Sequence, residues 1–386
     1  MSDFVHLHLH TTYSLLDGQC QIAPLVIKAR KAGMRALAVT DHGNLFALKS
    51  FYDSCYAKKK AFEGLPPIKP ILGCEAYMTS TGDYRSRDKN ERRFHLCLHA
   101  KNLTGYHNLV RLISEAHING VYYNRPRIDH KLLEKYHEGL HCSSACIAGE
   151  VSYYLDDGFK GGNDIKKAEE IAKWYKDLFG NDYSLEVMLH PSSKFGPDVP
   201  NSAQNEFKDL YARQVTVMKR MLELGKKLDI RVIATNDVHF LDKDDDDSHD
   251  VLLALSTGKK MSDESRMIYT GEEWFKGEKE MRALFAENPE LITNTLEVAD
   301  LEKLTQRAFT TDIELSKREV DLQETEAMFR YSGGDARKLL NIIEILHNAQ
   351  PEGKLIINND VVTARLQQNP LAYDKNGELH YDIISA

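Results

Sequence analysis

Three short clusters in this chain carry side chains suited to holding metal ions. The first, Val5-His6-Leu7-His8-Leu9-His10-Thr11, repeats histidine at every second position. In a strand, residues i and i+2 share a face, so His8 and His10 would present their imidazoles together like the first two ligands of a metal site. The second, Thr40-Asp41-His42-Gly43, closes an apolar run. The third, Thr235-Asn236-Asp237-Val238-His239, closes another and again spaces a carboxylate and an imidazole by two. One H-x-H alone is weak, because a strand histidine is more often a surface or satisfied core residue. Three clusters at the ends of apolar runs point to metal-dependent hydrolysis.

The elements that must position these groups follow from the hydrophobic pattern. Seven apolar runs read as strands: residues 4–9, 36–40, 69–77, 94–100, 140–147, 184–189 and 231–235. Helical stretches at 22–32, 105–116, 165–179 and 206–228 lie between them. Such alternation predicts parallel pairing with helices outside, hence an α/β sheet or barrel. The polar residues gather at the C-terminal ends of the runs, where a barrel of this kind places its chemistry. Read in order, those ends offer His8, His10 and the nearby Asp17, then His42, Glu75, His95, Cys146, Asp237 and His239. Nine donors exceed the three protein ligands of a catalytic zinc and suit two or three divalent ions. Imidazoles, carboxylates and one thiolate favour zinc, with manganese or iron as alternatives.

Composition narrows the setting. With 386 residues the chain is long enough for two or three domains, and a net charge of −8 means that any phosphate-binding surface is local. Six cysteines lack paired spacing, and no apolar N-terminal segment reads as a signal peptide. No run of ~18 apolar residues suggests a membrane span. A reduced, cytoplasmic setting is the expectation.

His8-Leu9-His10-Thr11 through Leu15-Leu16-Asp17-Gly18, with Thr40-Asp41-His42-Gly43 and Asn236-Asp237-Val238-His239, resembles the polymerase and histidinol phosphatase (PHP) superfamily. More closely, it is similar to the N-terminal PHP domain of bacterial DNA polymerase III alpha subunits. Residues 70–77, Ala100-Lys101-Asn102-Leu103-Thr104-Gly105, Arg125-Pro126-Arg127-Ile128-Asp129, residues 248–253 and 294–299 carry the same likeness, over about residues 1–302. The resemblance implies a distorted (β/α)7 barrel holding up to three metals, whose family ligand positions fall on the same nine residues. Some relatives lack the first histidine of the pair and are thought to be metal-free; His8 is present here. The implied activity is phosphoesterase, as a 3′–5′ exonuclease on single-stranded DNA ends, with other replisome subunits as partners. His6, His99, His190 and His249 are expected to be structural or supporting residues.

In such a centre metal ions activate water and neutralise phosphate charge, so no protein nucleophile is needed. Asp17 or His239 could also move a proton, and Asp41 and Asn236 are expected to orient the imidazoles. For substrate, Arg92, Arg93 and Arg125 are the expected contacts. The basic stretch 84–93 reads equally well as a solvated loop, and Tyr122 and Tyr123, beside Arg125 and Arg127, read better as packing residues than as a stacking surface. The acidic stretch 242–250 reads as a solvated turn.

Beyond about residue 302 the character changes, giving an expected second unit at 303–386 that is small and mostly helical. Tyr331-Ser332-Gly333-Gly334-Asp335-Ala336-Arg337 through Asn341 resembles the lid helix of clamp-loader-like AAA+ ATPases. With Tyr373-Asp374-Lys375-Asn376-Gly377-Glu378 and residues 380–386, it is similar to the replication-associated recombination group (RarA/MgsA), whose nucleotide-sensing arginine would fall on Arg337. No G-x-x-x-x-G-K-[ST] loop exists, and Gly258-Lys259-Lys260 lacks the upstream glycine and the hydroxyl. Asp335 and Arg337 therefore read as the start of a helix, and ATP hydrolysis is not expected. Nor is polymerisation, since no palm follows the first unit. Two rivals remain at this level: a small-molecule phosphatase of the histidinol-phosphate type, and a non-catalytic scaffold for replisome partners.

Overall fold

A computed structural model of the chain describes residues 2–159, 161–192, 194, 201–299, 320–332, 336–349 and 354–368. Asp335, residues 333–334, 373–378 and 380–386 lie outside the described residues, as does the side chain of Arg337. Eight strands build the main sheet: β1 (Ala36–Val39), β2 (Lys69–Thr79), β3 (Arg93–Ala100), β4 (Val121–Tyr122), β5 (Arg125–Ile128), β6 (Leu140–Ser143), β7 (Tyr183–Val187) and β8 (Arg231–Ala234). Their order is β4-β5-β2-β3-β6-β7-β8, with β1 also against β2.

The N-terminal segment closes this sheet into a ring. On one side Ala38 and Thr40 donate their backbone N–H to the carbonyls of His6 and Leu9. On the other, His10 N–H bonds the Val238 carbonyl and Val238 N–H the His8 carbonyl. The segment thus serves as a seventh stave beside β1, β2, β3, β6, β7 and β8, joined by single bridges rather than a continuous ladder. Its side chains alternate as a strand's must. Val5 and Leu7 pack outward with Ala36, Ala38, Ile233 and Leu296 of the helix Glu290–Ala299, while His8 and His10 face inward.

The expectation of uniformly parallel staves fails at β3, which runs antiparallel to both β2 and β6. The physical reason is the connection. Residues 80–92 contain no helix, and without a crossover to carry the chain back, the next strand has to run in the opposite direction. One consequence follows directly: His95, near the start of β3, lies at the same rim as the C-terminal ends of the other staves. Two further boundaries move. The run 140–147 ends as a strand at Ser143, and Ala145 beyond it is left-handed (φ +57°). The acidic stretch 242–250 is a capped turn leading into the helix Asp246–Thr257.

Local signals explain several of the strings that carry the resemblance. Asn102 caps the helix Leu103–Asn119 by accepting from Gly105 N–H. Gly105 in turn lies against the backbone of Gly139, where any side chain would collide. Asp129 caps the helix His130–Tyr136 and also takes Tyr84 N–H.

Most of the buried apolar residues form one core around the barrel. A separate small core lies in the C-terminal part, where Met328, Phe329, Ile342, Ile343, Leu346 and Val362 bring together the helices Glu326–Ser332, Ala336–Ala349 and Asn359–Gln368. Two short parallel strands, β9 (Val320–Leu322) and β10 (Leu355–Ile357), add to it. No helix among the described residues is long and apolar enough to cross a membrane. All six cysteines are buried and unbridged.

Candidate metal centre

Six staves deliver donors to one rim of the barrel. Glu75, buried in β2, is the hub. Its Oε1 lies 2.9 Å from His95 Nδ1 and 3.2 Å from His8 Nε2, and its Oε2 lies 2.6 Å from His42 Nδ1 and 3.5 Å from His10 Nε2. Asp237 Oδ1 stands 3.2 Å from His8 Nε2 and 3.1 Å from His10 Nε2. Asp17 spans the outer side, with Oδ2 at 2.9 Å from His42 Nε2 and 3.8 Å from His239 Nε2. Cys146 Sγ is 3.5 Å from His95 Nδ1. The structure brings all nine sequence-derived residues together. His10 lies between His42 and His239, with ring centroids at 4.1 and 4.4 Å.

Turning these side chains inward strains the backbone. Leu16, Ala145 and Asp237 all have positive φ, at +60°, +57° and +45°. Two of them immediately precede donors and the third is one; such conformations cost of order 1–3 kcal/mol each and cluster at functional sites. Gly43, directly after His42, is left-handed at φ +60°, and a Cβ there would press on Pro126 and Tyr77. That explains the glycine of the D-H-G string.

The centre fits cations. Buried atoms facing it, His8 Nε2, His10 Nε2, His42 Nδ1, both Glu75 oxygens, Asp237 Oδ1 and His239 Nε2, crowd against one another in ion-pair contacts but make no well-angled hydrogen bond. Leaving so many buried polar atoms unsatisfied is costly unless something absent from the polypeptide binds them. Three trios have ligand atoms mutually within 4.8 Å: His10, His42 and His239; His8, His10 and Glu75; Glu75, His95 and Cys146. Burial alone would raise the carboxyl of Glu75, yet His95, His42 and His8 hold it well below its ordinary range. Asp17 is likewise held well below by His239 and His42 despite its burial. Burial, reinforced by His42 and His239, lowers the His10 imidazole to about 3. Against their burial, Asp237 raises His8 well above 6.5, Glu75 and Asp17 raise His42 well above it, and Asp237 and Asp17 raise His239 to about 9. Cations binding there would displace protons from these three imidazoles.

A second layer fixes the imidazoles. Glu186 in β7 accepts from Thr235 Oγ1 at 2.9 Å and Ser143 Oγ, and lies 3.0 Å from His8 Nδ1. A carboxylate has no proton to give, so His8 Nδ1 carries the hydrogen and Nε2 is left facing the centre. The fully buried trio His8, Cys97 and Glu186 therefore orients His8. Ser14 Oγ donates to Asp41 Oδ1 at 2.7 Å and lies 2.9 Å from His10 Nδ1, which fixes His10 the same way. Asp41 thus acts through Ser14. Asn236 does not orient an imidazole with its side chain: its Nδ2 donates to the carbonyls of Glu272 and Trp274. Its amide is consumed in pinning the residue 272–274 segment.

His6, His99, His190 and His249 bond backbone carbonyls of Lys276, Leu7, Asn236 and Asp17 respectively. Sequence reasoning missed Glu186, Ser14 and Tyr269, whose hydroxyl donates to Asp17 Oδ1 at 3.2 Å. A carboxylate inside the apolar run Tyr183–Val187 was the available sign for Glu186; Tyr269 carries none.

The expected substrate arginines separate. Arg125 sits over the Tyr77 ring at 5.2 Å, and that ring lies 6.0 Å from His42 and 5.5 Å from His95. Arg92 packs over Tyr153 at 4.2 Å, and Arg93 is exposed at the first residue of β3. Arg127 is fully buried and bonds Glu91 and the carbonyls of Ser86 and Gly120; it is a structural clamp, not part of a binding surface. Tyr123 is exposed at 65% rather than packed, because the β4–β5 turn it occupies projects from the barrel.

A ring of staves carries a convergent donor set at one rim, and comparison with known proteins shows what the chain is similar to. Residues 6–190 match the PHP domain and residues 314–386 the AAA C-terminal domain. The chain is 39% identical over 305 residues to the DNA polymerase III subunit alpha of Campylobacter jejuni, covering 78% of this chain and 23% of that protein. It is 38% identical over 302 residues to that of Borreliella burgdorferi, covering 78% and 24%. With that of Helicobacter pylori it is 39% identical over 303 residues, covering 77% and 23%. The chain therefore spans about a quarter of the length of these curated relatives. A solved Bifidobacterium adolescentis structure, provisionally assigned as a metal-dependent phosphoesterase, has 13% identity and a TM-score of 0.27, covering 61% of this chain and 87% of that one. A score that low adds nothing on fold or chemistry.

Proposed function

We propose that the rim centre is a multi-metal phosphoesterase site that cleaves phosphodiesters at DNA ends, acting as a 3′–5′ exonuclease on unpaired strands. The observation that carries this reading is the set of buried nitrogen and oxygen atoms that converge on one another without well-angled hydrogen bonds. His8, His10, Asp17, His42, Glu75, His95, Cys146, Asp237 and His239 would hold two or three divalent ions, with zinc favoured by the donor mixture. Such ions supply an activated water and neutralise charge on the phosphate.

The polypeptide's own contributions are positional. Glu186 and the Asp41–Ser14 pair hold His8 and His10 in one tautomer. Asp17, whose side chain keeps 23% of its surface open, and His239, 3.8 Å from it, would move a proton at the rim. Arg125, steadied on Tyr77, would meet the DNA backbone, with Arg92 and Arg93 on the side of His95. The relatives' name brings DNA as substrate class and other replication subunits as partners.

The test is hydrolysis by the metal-loaded full chain of a 5′-labelled single-stranded oligonucleotide, beside histidinol phosphate. Stepwise shortening from the 3′ end is expected. Hydrolysis of histidinol phosphate alone would replace this reading with the small-molecule one.

A further inference from the structure

A cavity of about 250 Å³ opens beside the metal centre and is not needed to hold it. Cys146 and Asp237, two residues of the centre, also line this cavity. Its walls are different in kind from the centre: Met188, Phe207, Leu210 and Ile268 supply an apolar slot. Tyr269 joins the two spaces, since its ring lines the cavity while its hydroxyl bonds Asp17. Three carboxylates border it, Asp237 of the centre, the exposed Glu206 and the buried Glu273. Glu273 accepts from Thr270 with Oε1, while its Oε2 is buried without a partner. Burial raises this carboxyl, but His190 and Thr270 bring it below its ordinary range. It remains an acceptor. The neighbouring Gln214 is already spent on His190.

A mostly apolar cavity that adjoins the rim centre and has the buried Glu273 carboxylate in its lining matches a nucleobase: hydrophobic faces, and a polar edge with an N–H donor. Its volume is below the ~300–1,000 Å³ of clefts for drug-sized ligands, which suits one base and not two. We propose that this cavity seats the base of the terminal nucleotide, with Glu273 Oε2 accepting from an exocyclic amine, so that an amino-bearing base is preferred over thymine. A carboxylate accepting from the cytosine amine is an established pairing. The proposal rests on the phosphoesterase reading above and gives that site its substrate selectivity.

The test uses the zinc-loaded full chain and two readouts. In saturation-transfer NMR with deoxycytidine monophosphate, thymidine monophosphate and deoxyribose 5-phosphate, the cytosine ring protons should take up more saturation than the sugar protons. Leu210→Trp should weaken deoxycytidine monophosphate about tenfold, the scale of one lost base stack, and leave deoxyribose 5-phosphate unchanged. Glu273→Gln, which keeps a side chain of the same size, should abolish or reverse the cytosine-over-thymine preference; it also stands in should the tryptophan variant not fold. Equal weakening of both probes by Leu210→Trp, or ring protons no more saturated than sugar protons, would overturn the pocket. The second readout is hydrolysis of the p-nitrophenyl ester of deoxycytidine 5′-monophosphate against bis(p-nitrophenyl) phosphate. Leu210→Trp should raise KM for the first and leave the second alone. Base seating without hydrolysis of either ester would sink the phosphoesterase reading and keep the pocket, whereas hydrolysis without base seating does the reverse.

Discussion

The barrel rim and the C-terminal unit solve opposite problems. At the rim, imidazoles and carboxylates are buried against one another with key atoms unsatisfied, and a left-handed Asp237 is tolerated to aim a donor. The C-terminal unit is a compact apolar cluster around Met328, Phe329 and Ile342. Its sequence carries no phosphate-cradling loop to give a lid something to sense. The contrast teaches where function can be sought: strain and crowded buried polar atoms mark the rim, while the described residues of the tail pack as an ordinary apolar core.

The largest effects should come from removing donors. Asp237→Ala or His10→Ala should abolish stoichiometric metal and reduce hydrolysis by at least about a hundredfold, since such mutations remove ligands that outer-layer changes only perturb. Elemental analysis and a nuclease assay on the same preparations check this. Full activity in either variant would break the contrast. Glu186→Gln sharpens it: the side chain keeps its size but no longer dictates the His8 tautomer. Metal affinity should fall by about 10–100-fold while the circular dichroism spectrum is unchanged.

In the other region, Ile342→Ala should destabilise the C-terminal unit by about 2–5 kcal/mol, the usual cost of emptying a buried aliphatic site. Metal content and hydrolysis should be untouched. Limited proteolysis should correspondingly leave a resistant, metal-bearing piece ending near residue 302, the proposed boundary between units 1–302 and 303–386. Loss of metal from that piece would join the two regions functionally.

Smaller effects concern the rim's surroundings. Arg125→Ala should raise KM for an oligonucleotide and reduce the slope of log K against log salt by about one, measured by titration at several ionic strengths. Smallest is a pH effect at the side of the barrel. Burial disfavours the charged form of His130, but Glu150 at 3.1 Å overrides it and raises the imidazole above its ordinary 6.5. A raised folded-state value contributes stability that is complete below 6.5 and fades as pH rises through the folded value. His130→Gln should flatten that decline in urea midpoints measured across neutral pH.

Much of the centre was legible because metal ligands recur at strand ends with spacing a strand imposes. Asp17, Glu75 and Cys146 follow from that logic together with the family resemblance. The reversed β3 was not foreseen, although the absence of any helical pattern in residues 80–92 was its sign. Asn236 looked like an orienting residue because it precedes Asp237; only the fold reveals that residues 272–274 claim its amide. Glu186 and Tyr269 act through contacts between distant segments, which spacing within one segment does not encode. Arg127, which stands beside Tyr122 and Tyr123 in the sequence like part of a stacking surface, is a buried clamp.

The most direct test is anomalous diffraction from crystals of the full chain grown with zinc. The account predicts two or three strong peaks inside the space bounded by His8, His10, His42, Glu75, His95, Asp237 and His239. A rim without peaks, with zinc only at surface histidines, would contradict it.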